Sequence, residues 1–339
     1  MRVVIAMDKF RGTVTATEAC HAVANACWEL GLDADEAPMS DGGEGLLEVL
    51  GGTNRTAIVT GPLGVPVEAA WRLDQRIAVI EMATASGLEL AGGVDSNDPM
   101  QATTRGTGEL IDRALEHGAR TVIVGLGGSA TTDGGLGAIE ALRSPARLRS
   151  VDVQVACDVR THFVDAAAVF APQKGASPAQ VALLTARLES IAGRYLDIYG
   201  VDVTTLERAG AAGGLGGGLA ALGATLVGGF DLVAEHVELD ARLADADVVV
   251  TGEGFLDMQS LDGKVVGGVL DAAADLGVAV VLIVGDADAN VRERLVGRAA
   301  VVTLVERDGE HLAMAEPRGC IERAATEALR AVAGAPGSR

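Results

Sequence analysis

Short runs of β-branched residues, each followed by a polar or glycine-rich turn and a helical pattern, constrain the fold of this chain most strongly. Residues 121–124 read as a buried strand, residues 125–135 as a glycine-rich turn, and residues 136–142 as the start of a helix. Open α/β sheets bind ligands at the carboxyl ends of their strands, where such a turn lies. The turn also holds several side chains that a simple connection would not need: Ser129, Thr131, Thr132 and Asp133.

The same strand, turn and helix order recurs near both ends of the chain, whereas the middle differs. Residues 2–7, 247–250 and 278–284 read as buried strands of a parallel sheet, but residues 56–81 read as shorter strands joined by turns. We therefore predict an α/β protein with a discontinuous Rossmann- or flavodoxin-like parallel-sheet domain and an inserted second α/β domain with a mixed sheet. The predicted bounds are residues 1–60 and 241–332 for the first domain, 61–240 for the second, and 333–339 for a frayed tail.

Charge and cysteine content exclude several classes of function. The formal net charge of -20 argues against nucleic acid or an anionic membrane surface as a partner, because both require a basic face. No apolar run approaches the length of a membrane span, and the amino terminus lacks a signal-peptide pattern, so we expect a cytoplasmic protein with a small-molecule substrate. The four cysteines form no metal-binding spacing. Homo-oligomerisation is left open.

The three lysines are the most informative basic residues. Arginine supplies nearly every positive charge in the chain, and Lys9, Lys174 and Lys264 each lie in a polar segment with glycine close by. A compact ammonium group binds phosphate as a point charge and is not interchangeable with a guanidinium group. This placement indicates contact with an anionic ligand.

Acidic residues recur where predicted strands end. They are Asp8, Asp41 with Glu44, Asp133, Asp158, and Glu253 with Asp257. Combined with the lysines and the glycine-rich segments 125–135 and 210–219, they suit Mg²⁺-nucleotide chemistry, in which carboxylates hold the metal or accept a hydroxyl proton. The segment 210–219 also fits close packing of the backbone. The P-loop pattern is absent, so we predict a kinase of another type, with an NAD-dependent oxidoreductase as a weaker alternative.

Eight segments, in order, form a recognisable set of motifs. They are DxFRG at residues 8–12, DGGEG at 41–45, EMAxASGL at 81–88, GTGEL at 106–110, GGSATxDGG at 127–135, PQKGA at 172–176, GAAGGLG at 210–216, and TGEG with Asp257 and GK within 251–264. Together they resemble the motifs of the bacterial two-domain glycerate kinase family (type 1). The resemblance implies ATP-dependent, Mg²⁺-assisted phosphorylation of D-glycerate at its 2-hydroxyl, by two domains that enclose a cleft.

Roles for individual residues follow from this resemblance and from chemical type. The catalytic set is Asp133 or Asp158 as acceptor of the hydroxyl proton, with Lys174 and Lys264 neutralising the transferred phosphoryl group. The metal ligands are Asp41, Glu44, Glu253 and Asp257. The substrate contacts are Asp8, Lys9, Arg11, Ser86 and Thr107. The nucleotide contacts are Gly127, Gly128, Ser129, Thr131, Gly213, Gly214 and Gly216.

The chain departs from the family pattern at several positions. The family has Asn where this chain has Thr132, Arg where it has Phe255, Ser and Lys where it has Lys9 and Arg11, and Asn-Pro at residues 161–162. A stretch of a few tens of residues around 143–150 is also missing. These departures leave open two alternatives: action on another small 2-hydroxy acid, or a catalytically impaired protein that binds a small acid or nucleotide as a regulator.

Overall fold

The chain forms two compact units in the computed structural model, which describes residues 1–10 and 12–334. Met1–Asp41 and Phe230–Arg339 make the first unit, and Gly42–Gly229 makes the second. The first unit boundary lies before the expected residue 60, because residues 55–60 pair with the second unit's sheet, and the second lies at residues 229–230 instead of near 240. Arg11, a predicted substrate contact, lies outside the described residues.

Strands occupy most of the runs of β-branched residues. In chain order they are β1 (Arg2–Met7), β2 (Asp33–Glu36), β3 (Arg55–Thr60), β4 (Pro66–Asp74), β5 (Ile77–Glu81), β6 (Thr121–Gly125), β7 (Asp152–Ala156), β8 (Thr225–Val227), β9 (Val248–Gly252), β10 (Phe255–Leu256), β11 (Ala279–Val284), β12 (Asp286–Ala287) and β13 (Ala300–Thr303).

Two of the α-helices begin where capping residues predict them. Thr15 and Glu18 form a capping box at the first helix, and Ser177 caps a long helix that has proline at its first position. The helices are α1 (Ala16–Glu29), α2 (Leu46–Val49), α3 (Ala83–Ser86), α4 (Arg105–Glu116), α5 (Leu136–Ala141), α6 (Ala166–Phe170), α7 (Pro178–Tyr199), α8 (Ala211–Ala221), α9 (Gly229–His236), α10 (Leu239–Ala244), α11 (Val265–Leu276), α12 (Ala289–Leu295), α13 (Leu304–Asp308), α14 (Glu310–Ala315) and α15 (Pro317–Ala333). Ala333, predicted to be part of the frayed tail, is the last residue of α15.

The first unit is built on a fully parallel sheet with strand order β13-β11-β9-β1-β2. The inner strands are apolar because both faces of the sheet are covered, and α1 and α15 pack against each other and contribute to one core. The register pairs Met7 with Gly252, so the residues that follow β1 and β9 lie side by side. The predicted parallel-sheet domain is confirmed.

The second unit contains a mixed sheet with strand order β3-β4-β5-β6-β7-β8. The first three strands form an antiparallel meander, and β5 to β8 are parallel. Its core includes Phe163, Leu184 and Leu188. This arrangement confirms the predicted second α/β domain with a mixed sheet. Within residues 1–10 and 12–334, no helix is both long enough and apolar enough to cross a membrane.

Candidate active site

Asp133, in the glycine-rich turn after β6, holds the starts of two helices. Its carboxylate accepts hydrogen bonds from the backbone amides of Thr104 at 2.8 Å, Gly135 at 3.0 Å and Gly137 at 3.2 Å, and from the Thr104 hydroxyl at 2.9 Å. These donors lie at the amino ends of α4 and α5, whose first amides have no partner within the helix. Asp133 therefore caps both helices, and its oxygens are largely occupied by protein donors.

Lys174 lies against the same turn. Only 3% of the residue is exposed, and its Nζ donates to Ser129 Oγ and to the Thr131 carbonyl oxygen, each at 2.7 Å. Burial lowers the pKa of Lys174 to about 7, although the negative charge of Asp133 opposes this shift. Lys174 of the PQKGA motif thus directly contacts Ser129 and Thr131 of the GGSATxDGG motif.

Asn97 is a residue of this site that the sequence does not single out. Its Nδ2 donates to the carbonyl oxygens of Ala130 at 3.1 Å and Lys174 at 2.9 Å, so it joins the two segments that carry the lysine and its partners. Its Oδ1 is buried without a hydrogen-bond partner in the described part of the chain. Residues 96–99 read only as a turn, and no sequence signal distinguishes Asn97 within it.

Glycines that we predict to contact the nucleotide lie close to neighbouring backbone atoms. Gly213 and Gly214 adopt left-handed φ values at a kink in α8, and Gly128 also has a positive φ. At Gly213, an added Cβ would lie 2.0 Å from the Thr131 carbonyl oxygen, and at Gly214 it would lie 2.8 Å from Gly134 Cα. At Gly216 it would lie 2.8 Å from the Arg208 carbonyl oxygen, and at Gly127 it would lie 2.7 Å from Gly43 Cα. Of the two interpretations left open for residues 210–219, this geometry supports close packing.

Ser86 and Thr107 are fully buried. Their hydroxyl oxygens lie 2.9 Å apart, and the Ser86 carbonyl oxygen accepts a hydrogen bond from the amide of Ala130. Direct contact of these hydroxyls with a substrate does not follow from this geometry, because neither is accessible. Their hydrogen bonds link α3 and α4 to the glycine-rich turn. Thr132, in the glycine-rich turn, is also buried, and its Oγ1 has no hydrogen-bond partner in residues 1–10 and 12–334.

Asp158 is the half-buried carboxylate at the end of β7. Its Oδ1 accepts a hydrogen bond from the amide of Gly229 at 3.1 Å. Unlike Asp133, it does not cap two helices at once.

A separate group of charged residues lies at the strand ends of the first unit. Asp8, which is 6% exposed, accepts a hydrogen bond from the amide of Lys9 at 2.7 Å. The Lys9 ammonium lies 3.7 Å from Asp8 Oδ1 and 3.4 Å from Asp41 Oδ1. Burial raises the pKa of Asp8 to about 6; the charge of Lys9 acts against this shift and that of Asp41 adds to it.

Glu253 follows β9 and lies next to Asp8 because of the strand register. Burial raises the pKa of Glu253 to about 7, a hydrogen bond from Ser260 and the charge of Lys264 oppose the shift, and the charge of Asp8 adds to it. Glu253 Oε1 is buried and has no hydrogen-bond partner in the described residues. Nearby, Asp257 Oδ1 accepts a hydrogen bond from the amide of Ser260 at 2.9 Å.

The four predicted metal ligands do not form one coordination shell. Within residues 1–10 and 12–334, no three Asp, Glu, His or Cys side chains are placed to hold a metal ion. Asp41, Glu253 and Asp257 belong to the first unit, whereas Glu44 is exposed in the second unit before α2. Mg²⁺ commonly takes one or two carboxylates and completes its shell with water and phosphate oxygens. The unpaired, buried Oε1 of Glu253 fits such a partial set.

Comparison with known proteins places this chain among kinases. A sequence model of the glycerate kinase family matches residues 3–145 and 143–333, two segments that meet at residues 143–145. The chain is 39% identical to the glycerate 2-kinase of Escherichia coli K12 and 40% identical to the glycerate kinase of Bacillus subtilis 168, each over 84% of this chain and 85% of the relative. The crystal structure of a "putative glycerate kinase 2" from Salmonella typhimurium LT2 aligns with a TM-score of 0.79 and 33% identity, over 99% of this chain and 100% of that one. Because these matches span both units, the chain belongs to the glycerate kinase family.

Proposed function

We propose that this kinase transfers the γ-phosphoryl group of ATP to the 2-hydroxyl of D-glycerate, with Mg²⁺ as cofactor. The family match over residues 3–333 is the observation that carries the proposal. The relatives named for this activity are 39% and 40% identical to the chain. The geometry of the two charged groups supports phosphoryl transfer, because each combines lysine with carboxylates at the carboxyl ends of parallel strands.

Lys174 supplies positive charge to the transferred phosphoryl group in this proposal. Its ammonium is held by Ser129 Oγ and the Thr131 carbonyl, so it needs little reorganisation when charge develops on the phosphate oxygens. Asn97 fixes the backbone on both sides of this contact. The segment 127–131 is accordingly proposed as part of the nucleotide site.

Asp158 accepts the proton of the substrate hydroxyl. The choice between Asp133 and Asp158 favours the latter, because the Asp133 carboxylate already accepts hydrogen bonds from two helix starts. A general base needs an oxygen that can reach the substrate proton. Asp158, at the end of β7, is half-buried, whereas only 9% of Asp133 is exposed.

The charged group of the first unit provides the metal and anion contacts. Asp41, Glu253 and Asp257 would hold Mg²⁺, and Lys9 and Lys264 would bind anionic oxygens of the ligands. Mg²⁺, when bound, neutralises charge on the phosphate oxygens during transfer. The buried Oε1 of Glu253, which has no hydrogen-bond partner in residues 1–10 and 12–334, supports this role.

Turnover of D-glycerate tests the proposal. Purified protein is incubated with ATP, Mg²⁺ and D-glycerate, ADP release is followed, and the product is identified by ³¹P–¹H NMR. We expect 2-phosphoglycerate. The isomer phosphorylated at the 3-hydroxyl would contradict the assigned position. Saturable binding of glycerate and ATP without turnover of glycerate or of related 2-hydroxy acids would favour the regulatory alternative.

A pair of variants tests the proton acceptor. We expect Asp158→Asn to lower kcat by about 100-fold or more, because general base catalysis typically contributes that much, while the unfolding midpoint stays unchanged. Asp197→Asn is the matched control, since Asp197 is an exposed residue of α7 with the same change in charge. Full activity in Asp158→Asn would remove that residue from the role.

A further inference from the structure

The amino ends of β5, β6 and β7 carry arginines that the proposed function does not use. Arg76 and Arg120 directly precede Ile77 and Thr121, which are paired in parallel register. The Arg120 amide donates to the Arg76 carbonyl oxygen at 2.8 Å, so the two residues are neighbours. Arg147 comes from the short 3₁₀ helix before β7, in the connector where the chain is shorter than its family pattern.

These three arginines and His117 line one groove of about 370 Å³ in the second unit, a volume suited to a small metabolite. No aspartate or glutamate among the described residues lines this groove, which we call the arginine groove. None of the three guanidinium groups forms an ion pair within residues 1–10 and 12–334. In a chain with a net charge of -20, such a concentration of uncompensated positive charge is unusual.

The backbone at Arg76 gives a second, independent indication. Gln75 and Arg76 form a two-residue turn between the paired residues Asp74 and Ile77, with φ values of 42° and 73°. Turns of this geometry strongly favour Asn and Gly, because other side chains are strained at positive φ. The chain contains 45 glycines, yet it places arginine here. Strained residues of this kind cluster at functional sites.

The groove has a partly ordered side-chain frame. Arg147 Nη2 donates to the Leu115 carbonyl oxygen at 3.0 Å, and His117 Nδ1 donates to the Arg113 carbonyl oxygen at 2.8 Å. The His117 ring also packs edge-on against Trp71, with 5.9 Å between ring centroids. Because these contacts already restrict the Arg147 and His117 side chains, a ligand would need to order fewer side chains when it binds.

We propose that the arginine groove binds a small phosphorylated metabolite as an effector. Guanidinium groups bind phosphate oxygens through paired hydrogen bonds, and several of them together select a multiply charged ligand. The groove lies at the opposite end of β6 from the glycine-rich turn, about 13 Å away for four residue steps of about 3.3 Å. Its occupant is therefore distinct from a ligand bound at that turn.

Imidazole NMR provides a local test that is independent of kinase activity. Pyrophosphate is the probe, added without nucleotide or Mg²⁺ at constant pH, and the His117 signal is assigned with His117→Asn. We expect a saturable shift of that signal with pyrophosphate and none with NaCl at the same ionic strength. The absence of a saturable shift, or an equal response to NaCl, would overturn the proposal.

Arg76→Gly separates ligand binding from folding. Glycine relieves the positive φ, so we expect an unchanged or higher unfolding midpoint but at least about tenfold weaker pyrophosphate binding at His117. Arg120→Gln should weaken binding similarly and provides a second variant. Arg149→Ala, an exposed arginine of the same connector outside the groove, should bind like the wild type. Equal affinity of the wild type, Arg76→Gly and Arg120→Gln would overturn the proposal.

Discussion

Replacing Lys174 with methionine should change how stability depends on pH. The ordinary pKa of 10.5 falls to about 7 in the folded protein because the ammonium is buried. Between these values the unfolded chain binds a proton more tightly than the folded chain, so the free energy of unfolding rises with pH. The full pKa difference corresponds to a rise of about 5 kcal/mol in the free energy of unfolding. About 3 kcal/mol of this rise lies between pH 7 and pH 9.5.

Lys174→Met removes this titration and nearly preserves side-chain length. It also removes the hydrogen bonds to Ser129 Oγ and the Thr131 carbonyl, which costs roughly 1.5–3 kcal/mol for each bond from a charged donor. That loss offsets the gain from eliminating a buried charge below pH 7. The sign of the stability difference between the wild type and Lys174→Met at one pH is therefore less informative than the change of that difference with pH.

Urea unfolding from pH 6 to pH 9.5 measures the slope. Fluorescence of Trp71, which is 2% exposed in the second unit, reports the unit that contains Lys174. We expect wild-type stability to rise relative to that of Lys174→Met by about 3 kcal/mol over this range. Lys264→Met, in the first unit, is the control and should leave this signal unchanged. Parallel curves for the wild type and Lys174→Met would refute the reasoning.

Three further predictions concern the glycine-rich turn and residues that contact it, with Gly200 as a comparison outside the turn. The kcat/KM for ATP should fall above about pH 7 as Lys174 loses its charge, and a rate that stays flat to pH 9 would contradict this role. Asp133→Asn should lower the free energy of unfolding by about 3 kcal/mol, because backbone amides at two helix starts lose a charged acceptor; an unchanged unfolding midpoint would contradict it. Gly200→Ala, with a φ of +73° and open space, should cost about 1–2 kcal/mol. Gly213→Ala should cost at least about 2 kcal/mol more, because its Cβ would lie 2.0 Å from the Thr131 carbonyl oxygen; equal midpoints for the two variants would count against close packing there.

Local sequence patterns predict much of the secondary structure. The run at residues 121–124 forms β6, the capping residues Thr15 and Ser177 begin α1 and α7, and residues 265–276 form α11 as predicted. These predictions succeed because strand alternation, caps and proline effects depend on residues a few positions apart. The unit boundary lies before residue 60 for the opposite reason, since only pairing with β4 assigns β3 to the second unit.

In the candidate site, too, the sequence predicts residues from local patterns but not the contacts between distant segments. The sequence identifies Lys174, Ser129 and Asp133 by residue type and by their position after strands. It does not reveal that Lys174 contacts Ser129, 45 residues away, or that Asn97 joins their segments. It also does not reveal that Ser86 and Thr107 are inaccessible, because burial depends on the packing of distant elements.

The sequence by itself determined the α/β class, the order of most strands and helices, and the motifs that resemble the glycerate kinase family. Only the tertiary structure decided that Asp133 caps two helices, that the pKa of Lys174 falls to about 7, and that Arg76 and Arg120 meet in one groove. The physical reason is range: helix caps and strand patterns arise between near neighbours, whereas desolvation, long-range hydrogen bonds and strand register depend on segments brought together by folding.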